Sequence, residues 1–541
     1  SLMKHHTRTA VGLIIAATAG NALAAPQTTQ PSTLQSQEQR TERYYLQREH
    51  VEPQSPIADP VADTAPAPDA AAGSDVRFVL REVRFGTSAF LTPEELAAIA
   101  APYTNREVGM SDLQAMVAEI NRRYAERGVT TARAVLGHQA IQAGVLQVDL
   151  VEGRLGELRI EGEAQTREAF TRKRTHQQPG DVVDGARLRD DLVYLNRTSD
   201  VQAQALLRPG AQVGQTDIVL HANEVERRYL DVFVDNAGID STGRERIGVQ
   251  GFINGLAGIN DRLSASFAWA EGGLEGQASY SGIVNRRNGR VGLSYSRSQI
   301  NLVNGAYRDL DITGESQAMT LDFTQPLIAN RTWLVQMLAS GGRTESSTDI
   351  ADERISDTES TIATLGASAS RRSTGREWTL TQVVSSLQSE EPLLGSRSFV
   401  TAVGGLGYLQ KVGQSRFLVR VNSGWQYSND DVLPSGNLFQ IGGVGSVRGY
   451  ERGVLSGPRG YFLDAELHRS FGDALDGYVF VDHGSVSSDF PGAQDLTGTG
   501  IGASFQKRWS SASVDVSHPL DEVLNEQDSV RVDFRLTARW Q

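Results

Sequence analysis

The sequence contains no cysteine in 541 residues, which excludes a disulfide framework, a thiolate zinc site and a cysteine nucleophile. Long apolar runs are also missing beyond the first two dozen positions. Each helical membrane span needs about 20 consecutive apolar residues, so a multi-span helical membrane protein is excluded. A membrane β-barrel is not excluded, because its strands need apolar residues only at alternate positions. No G-x-x-x-x-G-K-[ST], H-E-x-x-H or G-x-S-x-G motif occurs, so no catalytic residue, cofactor or metal is expected. Positive charge is in deficit, with 52 Lys+Arg against 65 Asp+Glu and a net charge of −13; this argues against nucleic acid as a partner. Glycine is plentiful, at 54 residues against 17 prolines. The length suggests several domains, and 22% charged with 7% aromatic residues argues against wholesale disorder.

Residues 1–24 read as a secretory signal peptide, with Ser1 and Leu2 ahead of Met3 reading as a two-residue scar. Lys4, His5, His6 and Arg8 precede an apolar stretch from Ala10 to Ala19, and Ala22-Leu23-Ala24 supplies a small-x-small cleavage pattern. A short membrane anchor would need a longer apolar run. Residues 25–52 contain a helix candidate, Thr33 to Val51, free of Gly and Pro. Its few apolar residues, chiefly Leu34, Tyr44, Tyr45, Leu46 and Val51, suit a polar, water-lined groove better than a dry core. Residues 53–73, rich in Pro, Ala and Asp, read as an extended linker.

Two small α/β modules follow, at 74–152 and 153–226. In the first, a strand is expected from Phe78 to Phe85, and Thr92-Pro93-Glu94-Glu95 forms a capping box. A second box opens at Ser111, ahead of a helix whose Leu113, Met116, Val117, Ile120 and Tyr124 define a buried face. Strands are expected near Thr131 to Gly137 and Val145 to Val151. The order then restarts at Leu158, with Asp184 capping a helix that carries Leu188, Leu192 and Leu195. Pattern alone equally allows two generic α/β folds without a special role.

From residue 227 to 541 the helical period gives way to period two. Val530, Val532, Phe534, Leu536, Ala538 and Trp540 interleave with Arg531, Asp533, Arg535, Thr537 and Arg539. Strands of a soluble sandwich are usually about 5 or 6 residues long. These segments are nearer ten, the length that crosses a bilayer at a tilt. Roughly 16 such segments suit a mid-sized outer-membrane barrel, with charged alternate positions facing a wet lumen.

One cluster is specific. Ile441-Gly442-Gly443-Val444-Gly445-Ser446-Val447-Arg448-Gly449-Tyr450-Glu451 is a glycine-rich segment before a strand, and Tyr478-Val479-Phe480-Val481-Asp482-His483-Gly484 lies two strands later. Val479 and Val481 are expected to face lipid, which turns Phe480 and Asp482 toward the lumen. His483 beside Asp482 has no nucleophile placed near it by any motif and reads as structural. Gly498-Thr499-Gly500-Ile501-Gly502 has no following helix and reads as turn and strand glycine.

These residues resemble the two-partner secretion transporters, the TpsB family of the BamA/TpsB superfamily. Val447-Arg448-Gly449-Tyr450 is similar to that family's V-R-G-[FY] tip of a long loop folded back into the barrel. Phe480-x-Asp482-x-Gly484 is similar to its F-x-D-x-G strand motif. The resemblance implies a mainly β chain: an N-terminal plug helix, two α+β POTRA (polypeptide-transport-associated) domains and a 16-stranded transmembrane β-barrel. It implies an Arg448–Asp482 pair that fixes the loop, and export of one large secreted TpsA-type partner captured by the POTRA domains in the periplasm. The remaining expected partners are outer-membrane lipid and the barrel assembly machinery, with the chain itself a monomer. Gln541 after Trp540 departs from the family's usual aromatic end. An outer-membrane protein insertase of the same superfamily and a solute porin or barrel-embedded hydrolase are the alternatives.

Overall fold

The computed structural model describes residues 33–540 apart from 50–52, 55, 64–76, 138–142, 213, 225–227, 306–307, 392–394, 490–491 and 525–526. The expected signal peptide and Val51 thus lie outside the described residues. The chain divides into two compact units, Ile57–Glu224 and Ser1–Pro56 with Val225–Gln541. The first helix, α1 (Thr33–Glu49), belongs to the latter.

The unit Ile57–Glu224 holds both small modules. Its first strand, β1 (Val61–Asp63), arises inside the segment expected to be extended linker. The first module comprises β2 (Phe78–Leu80), β3 (Glu82–Phe85), α2 (Pro93–Ala100), β4 (Arg106–Val108), α3 (Met110–Glu126), β5 (Ala132–Val135) and β6 (Val145–Glu152). The single strand expected over Phe78 to Phe85 is two strands. The chain changes neighbours at Arg81, where the N–H groups of Arg81 and Glu82 both donate to the Gly144 carbonyl, at 2.7 and 3.2 Å. β2 then pairs with β4, and β3 runs parallel to β6.

Helix α2 starts as its capping box predicts. The Thr92 hydroxyl accepts from the Glu95 N–H at 3.3 Å, and the Glu95 carboxylate accepts from the Thr92 N–H at 2.9 Å. Helix α3 starts earlier than expected, capped by Gly109 rather than Ser111. Asp112 reaches back to accept from the Gly109 N–H at 2.9 Å, so the reciprocal carboxylate of the box is aspartate and Ser111 falls inside the first turn. Leu113, Met116, Ile120 and Tyr124 form its buried face, against Leu80, Val108, Leu146 and Val148.

The second module comprises β7 (Arg154–Glu161), α4 (Glu168–Arg172), α5 (Gly185–Thr198), β8 (Val201–Pro209) and β9 (Gln215–Glu224). The Asp184 carboxylate accepts from the Arg187 N–H at 3.0 Å and starts α5. The sheet runs β1-β8-β9-β7, with β1 parallel to β8 and Val61 opposite Ala205.

In the other unit, sixteen antiparallel strands close into a barrel. The first strand, Arg228–Asp235, pairs with the sixteenth, Arg531–Trp540, placing Leu230 opposite Trp540 and Asp235 opposite Arg535. Closure leaves no free edge, the condition for crossing a bilayer with strands. Alternation sorts the side chains. On the twelfth strand, Arg459–Ser470, Tyr461, Leu463 and Leu467 are exposed on the outer face, while Asp464, Glu466 and His468 are buried on the inner one. Five consecutive strands, from Ile312–Ala329 to Gly395–Lys411, run 16 to 21 residues instead of near ten. Their polar ends, such as Thr344–Asp349 against Arg354–Ser360, keep pairing; the ladder needs only backbone groups and continues beyond the apolar band.

An arginine-centred cluster in the barrel lumen

The glycine-rich segment is a loop, 442–454, closed at its base by a two-stranded ribbon in which Phe439 faces Gly457. Its tip is buried. Val447 packs against Ile441, Phe439, Phe462 and Leu496, and the Tyr450 hydroxyl donates to the Thr497 carbonyl at 2.6 Å while accepting from the Asp521 N–H at 3.0 Å. Gly449 adopts φ 97°, and a Cβ there would lie 3.0 Å from the Pro519 nitrogen; both facts restrict this position to glycine.

Between Val447 and Gly449, Arg448 is 1% exposed and reaches four carboxylates on three strands. The thirteenth strand, Leu475–Ser487, supplies Asp482: its Oδ2 accepts from Nε at 2.6 Å and from the Arg448 backbone N–H at 3.0 Å, and its Oδ1 accepts from Nη2 at 2.7 Å. The twelfth supplies Asp464 at 3.0 Å and Glu466 at 2.7 Å. The fifteenth, Ser510–Pro519, supplies Asp515 at 3.5 Å. The guanidinium also lies 3.4 Å from the Phe480 ring centroid, a cation–π contact.

The structure therefore gives each motif residue a separate task. Phe480 stacks on the guanidinium, Asp482 accepts its fork, and Gly484 leaves space for the loop, since a Cβ there would lie 3.0 Å from Val447 Cγ2. His483 alternates to the other face and meets Tyr461 and Thr497 instead of the cluster.

Helix α1 enters the same cluster. Arg48 forks onto Glu466, with Nη1 donating to Oε2 at 2.6 Å and Nη2 donating to Oε1. Its guanidinium lies 4.3 Å from the ring centroids of both Tyr44 and Tyr478. The Tyr44 hydroxyl donates to Asp515. On the sixteenth strand Arg535 Nη1 donates to Glu42 Oε2 at 2.7 Å, and Arg40 Nη1 donates to the carbonyl of Gln440, in the ribbon at the base of the loop, at 2.6 Å. Among the described side chains of the helix, residues 40–48, the contacts are thus mainly polar, and their buried apolar cluster is small, joining Tyr44 and Tyr45 to Ala237 and Val444.

Several of these residues carried no warning in the sequence. Glu466 is shared by Arg448, Arg48 and His468, whose Nε2 lies 2.8 Å from Oε2. The glycines of the fourteenth strand, Ala493–Lys507, also belong to the cluster. Gly498, Gly500 and Gly502 pair across the ladder with Asp482, Phe480 and Tyr478. A Cβ would meet the Arg448 carbonyl at 2.0 Å from Gly498, Phe480 Cζ at 2.6 Å from Gly500, and the Tyr478 ring at 2.3 Å from Gly502. The period-two glycines facing period-two aromatics were the available signal.

A family model for haemolysin secretion/activation proteins ShlB/FhaC/HecB matches residues 214–505, and one for the ShlB-type POTRA domain matches residues 78–153. The outer membrane transporter CdiB of Dickeya dadantii (strain 3937) is 25% identical over 503 residues, covering 85% of this chain and 86% of that protein. The heme/hemopexin transporter protein HuxB of Haemophilus influenzae (strain 86-028NP) is 23% identical over 480 residues, covering 80% of this chain and 82% of that protein. Among solved structures, CdiB from Escherichia coli matches with a TM-score of 0.68 at 22% identity, over 94% of this chain and 97% of that one. With more than half of its length matched by the family model and its 16-stranded barrel closed, the chain belongs to the ShlB/FhaC/HecB family of TpsB outer-membrane transporters, its barrel in the outer membrane and its POTRA modules in the periplasm.

Proposed function

We propose that this transporter exports one large partner protein of the adhesin, haemolysin or contact-dependent inhibition toxin type through its own barrel without ATP. The observation that carries the reading is the seating of α1. The helix lies in the lumen on hydrogen-bonded ion pairs, Arg48 with Glu466 and Glu42 with Arg535, and among its described side chains, residues 40–48, little apolar surface is buried there. A buried ion pair roughly breaks even against the hydration of its separated partners. A helix anchored in this way can leave a wet lumen without exposing a large apolar face, so α1 is a removable plug.

Arg448 and Asp482 fix the loop tip that shapes the conduit. Removing Arg448 leaves Asp482 buried without its cation, at about 3 to 5 kcal/mol, whereas removing Asp482 leaves Arg448 on Asp464, Glu466 and Asp515 but takes away the acceptor of its fork and of its backbone N–H; the pair sets conformation more than overall stability. The POTRA modules capture the partner's amino-terminal secretion domain in the periplasm by strand addition, using backbone hydrogen bonds that an unfolded chain offers anywhere along its length. The sequence has no nucleotide-binding motif; folding of the partner outside supplies direction. The test is a deletion strain. Loss of one secreted protein encoded beside this chain, restored by complementation, is expected; depletion of many outer-membrane proteins would overturn the reading in favour of an insertase.

A further inference from the structure

In the second module, β1 lies along the outer edge of β8 and forms a short parallel pairing, Val61 to Asp63 against Ala205 to Leu207. The Ala205 N–H donates to the Pro60 carbonyl at 2.7 Å. Beside this contact Arg189 Nε donates to both Asp59 carboxylate oxygens, at 2.8 and 2.7 Å. The next position on the edge is closed by a side chain: Asn196 accepts from the Ala203 N–H at 2.7 Å and donates to the Ala203 carbonyl at 2.9 Å. The first module repeats half of this device, with Asn121 accepting from the Ala134 N–H on β5 at 2.7 Å. Sheet edges invite pairing with another chain. Here the edge of β8 is occupied by the segment that connects α1 to the modules.

We propose that the β8 edge is the docking site for an extended segment of the exported polypeptide, that β1 masks it in the resting chain, and that strand exchange releases the tether of α1. This rests on the export reading above. The occupant is identified by what the resting segment presents: an extended backbone with a branched apolar residue in register with Ala205, where Val61 now lies, and a carboxylate two positions earlier to replace Asp59 on Arg189. The resting pairing is exchangeable. It is three residues long and parallel, and its ion pair is partly exposed, a class worth little in water.

The mechanical consequence follows from chain length. With β1 in place, the backbone from Glu49 to Val61 reaches at most about 40 Å; once β1 is displaced, the next described strand is β2 at Phe78 and the limit rises to about 100 Å, at ~3.4 Å per residue. A helix about 26 Å long then has chain enough to leave a hydrocarbon layer roughly 30 Å thick. Cargo capture in the periplasm and unplugging of the barrel become one event.

The cysteine-free chain allows a selective lock. Val61→Cys with Ala205→Cys joins two register partners, and neighbouring strands place such pairs within disulfide reach. With the full-length double variant, oxidation is expected to reduce secretion of the protein encoded beside this chain by about ten-fold and to lower the frequency of channel opening in planar bilayers, both reversed by reductant. Replacing residues 60–63 with Gly-Ser is expected to raise opening frequency without any partner present. An oxidised, locked transporter that secretes as well as its reduced form overturns the strand exchange while leaving export intact. Failure of the unmodified chain to secrete any partner overturns export itself, and the proposal with it.

Discussion

Truncating Arg48 tests how firmly α1 is held. The side chain gives Glu466 a two-pronged contact and lies 4.3 Å from the centroids of Tyr44 and Tyr478. In Arg48→Ala, Glu466 keeps Arg448 Nη1 at 2.7 Å and His468 Nε2 at 2.8 Å. It does not become a lone buried charge, so the full penalty of about 3 to 5 kcal/mol does not apply. What disappears is charge-assisted hydrogen bonding worth about 1.5 to 3 kcal/mol, partly offset because Arg48 no longer gives up its hydration. The docked helix is therefore expected to lose about 1 to 3 kcal/mol, which lowers the docked-to-released ratio by about 5- to 150-fold. Single-channel recording in planar bilayers reads this ratio as open probability. Arg48→Lys, which keeps the charge but not the planar fork, falls between wild type and alanine. An open probability for Arg48→Ala equal to that of wild type refutes the reasoning.

Arg448→Ala and Asp482→Ala are each expected to leave a heat-modifiable, inserted barrel but to abolish secretion, as measured by partner protein in the culture supernatant; wild-type secretion by either would contradict the locking role. Gly498→Ala puts a methyl group where the Arg448 carbonyl lies 2.0 Å away, so the loop tip is displaced, secretion falls, and protease added to the purified barrel cuts within 442–454 faster than in wild type. In the first module the Thr92 N–H, followed by Arg127, holds the Glu95 carboxylate below the usual range. That contribution to α2 is present above the unfolded carboxyl's pKa of about 4.3 and is lost as pH falls through the lower folded value. Protection factors at the start of α2, corrected for the intrinsic pH dependence of amide exchange, should therefore fall at acidic pH in wild type, and much less in Glu95→Gln.

The parts legible in the sequence are those in which a few neighbouring residues decide the outcome. Thr92 with Glu95 and Asp184 mark helix starts because a cap acts within three or four residues. The barrel is legible because its alternation repeats along many strands. At α3 two boxes compete within a few residues, and the aspartate at 112 reaches Gly109 with its shorter side chain, so Ser111 loses the cap. β1 left no trace because three residues in a Pro- and Ala-rich stretch carry no period; the partner strand β8 supplies their pairing. The motif residues Arg448, Phe480, Asp482 and Gly484 were found by resemblance to a family, whereas Asp464, Glu466 and Asp515 were not. Every barrel strand carries inward polar residues of this kind, and only register across three strands converges them on one guanidinium. The glycines 498, 500 and 502 look like flexible punctuation until the ladder sets them opposite Asp482, Phe480 and Tyr478.

The most direct measurement of the central claim, that α1 is the removable plug of a protein-conducting barrel, compares the full chain with one lacking residues 25–52 in planar bilayers at the same voltage and salt. The account predicts brief, infrequent openings in the full chain and a large, steady conductance in the truncated one. Equal conductance in the two proteins would contradict it.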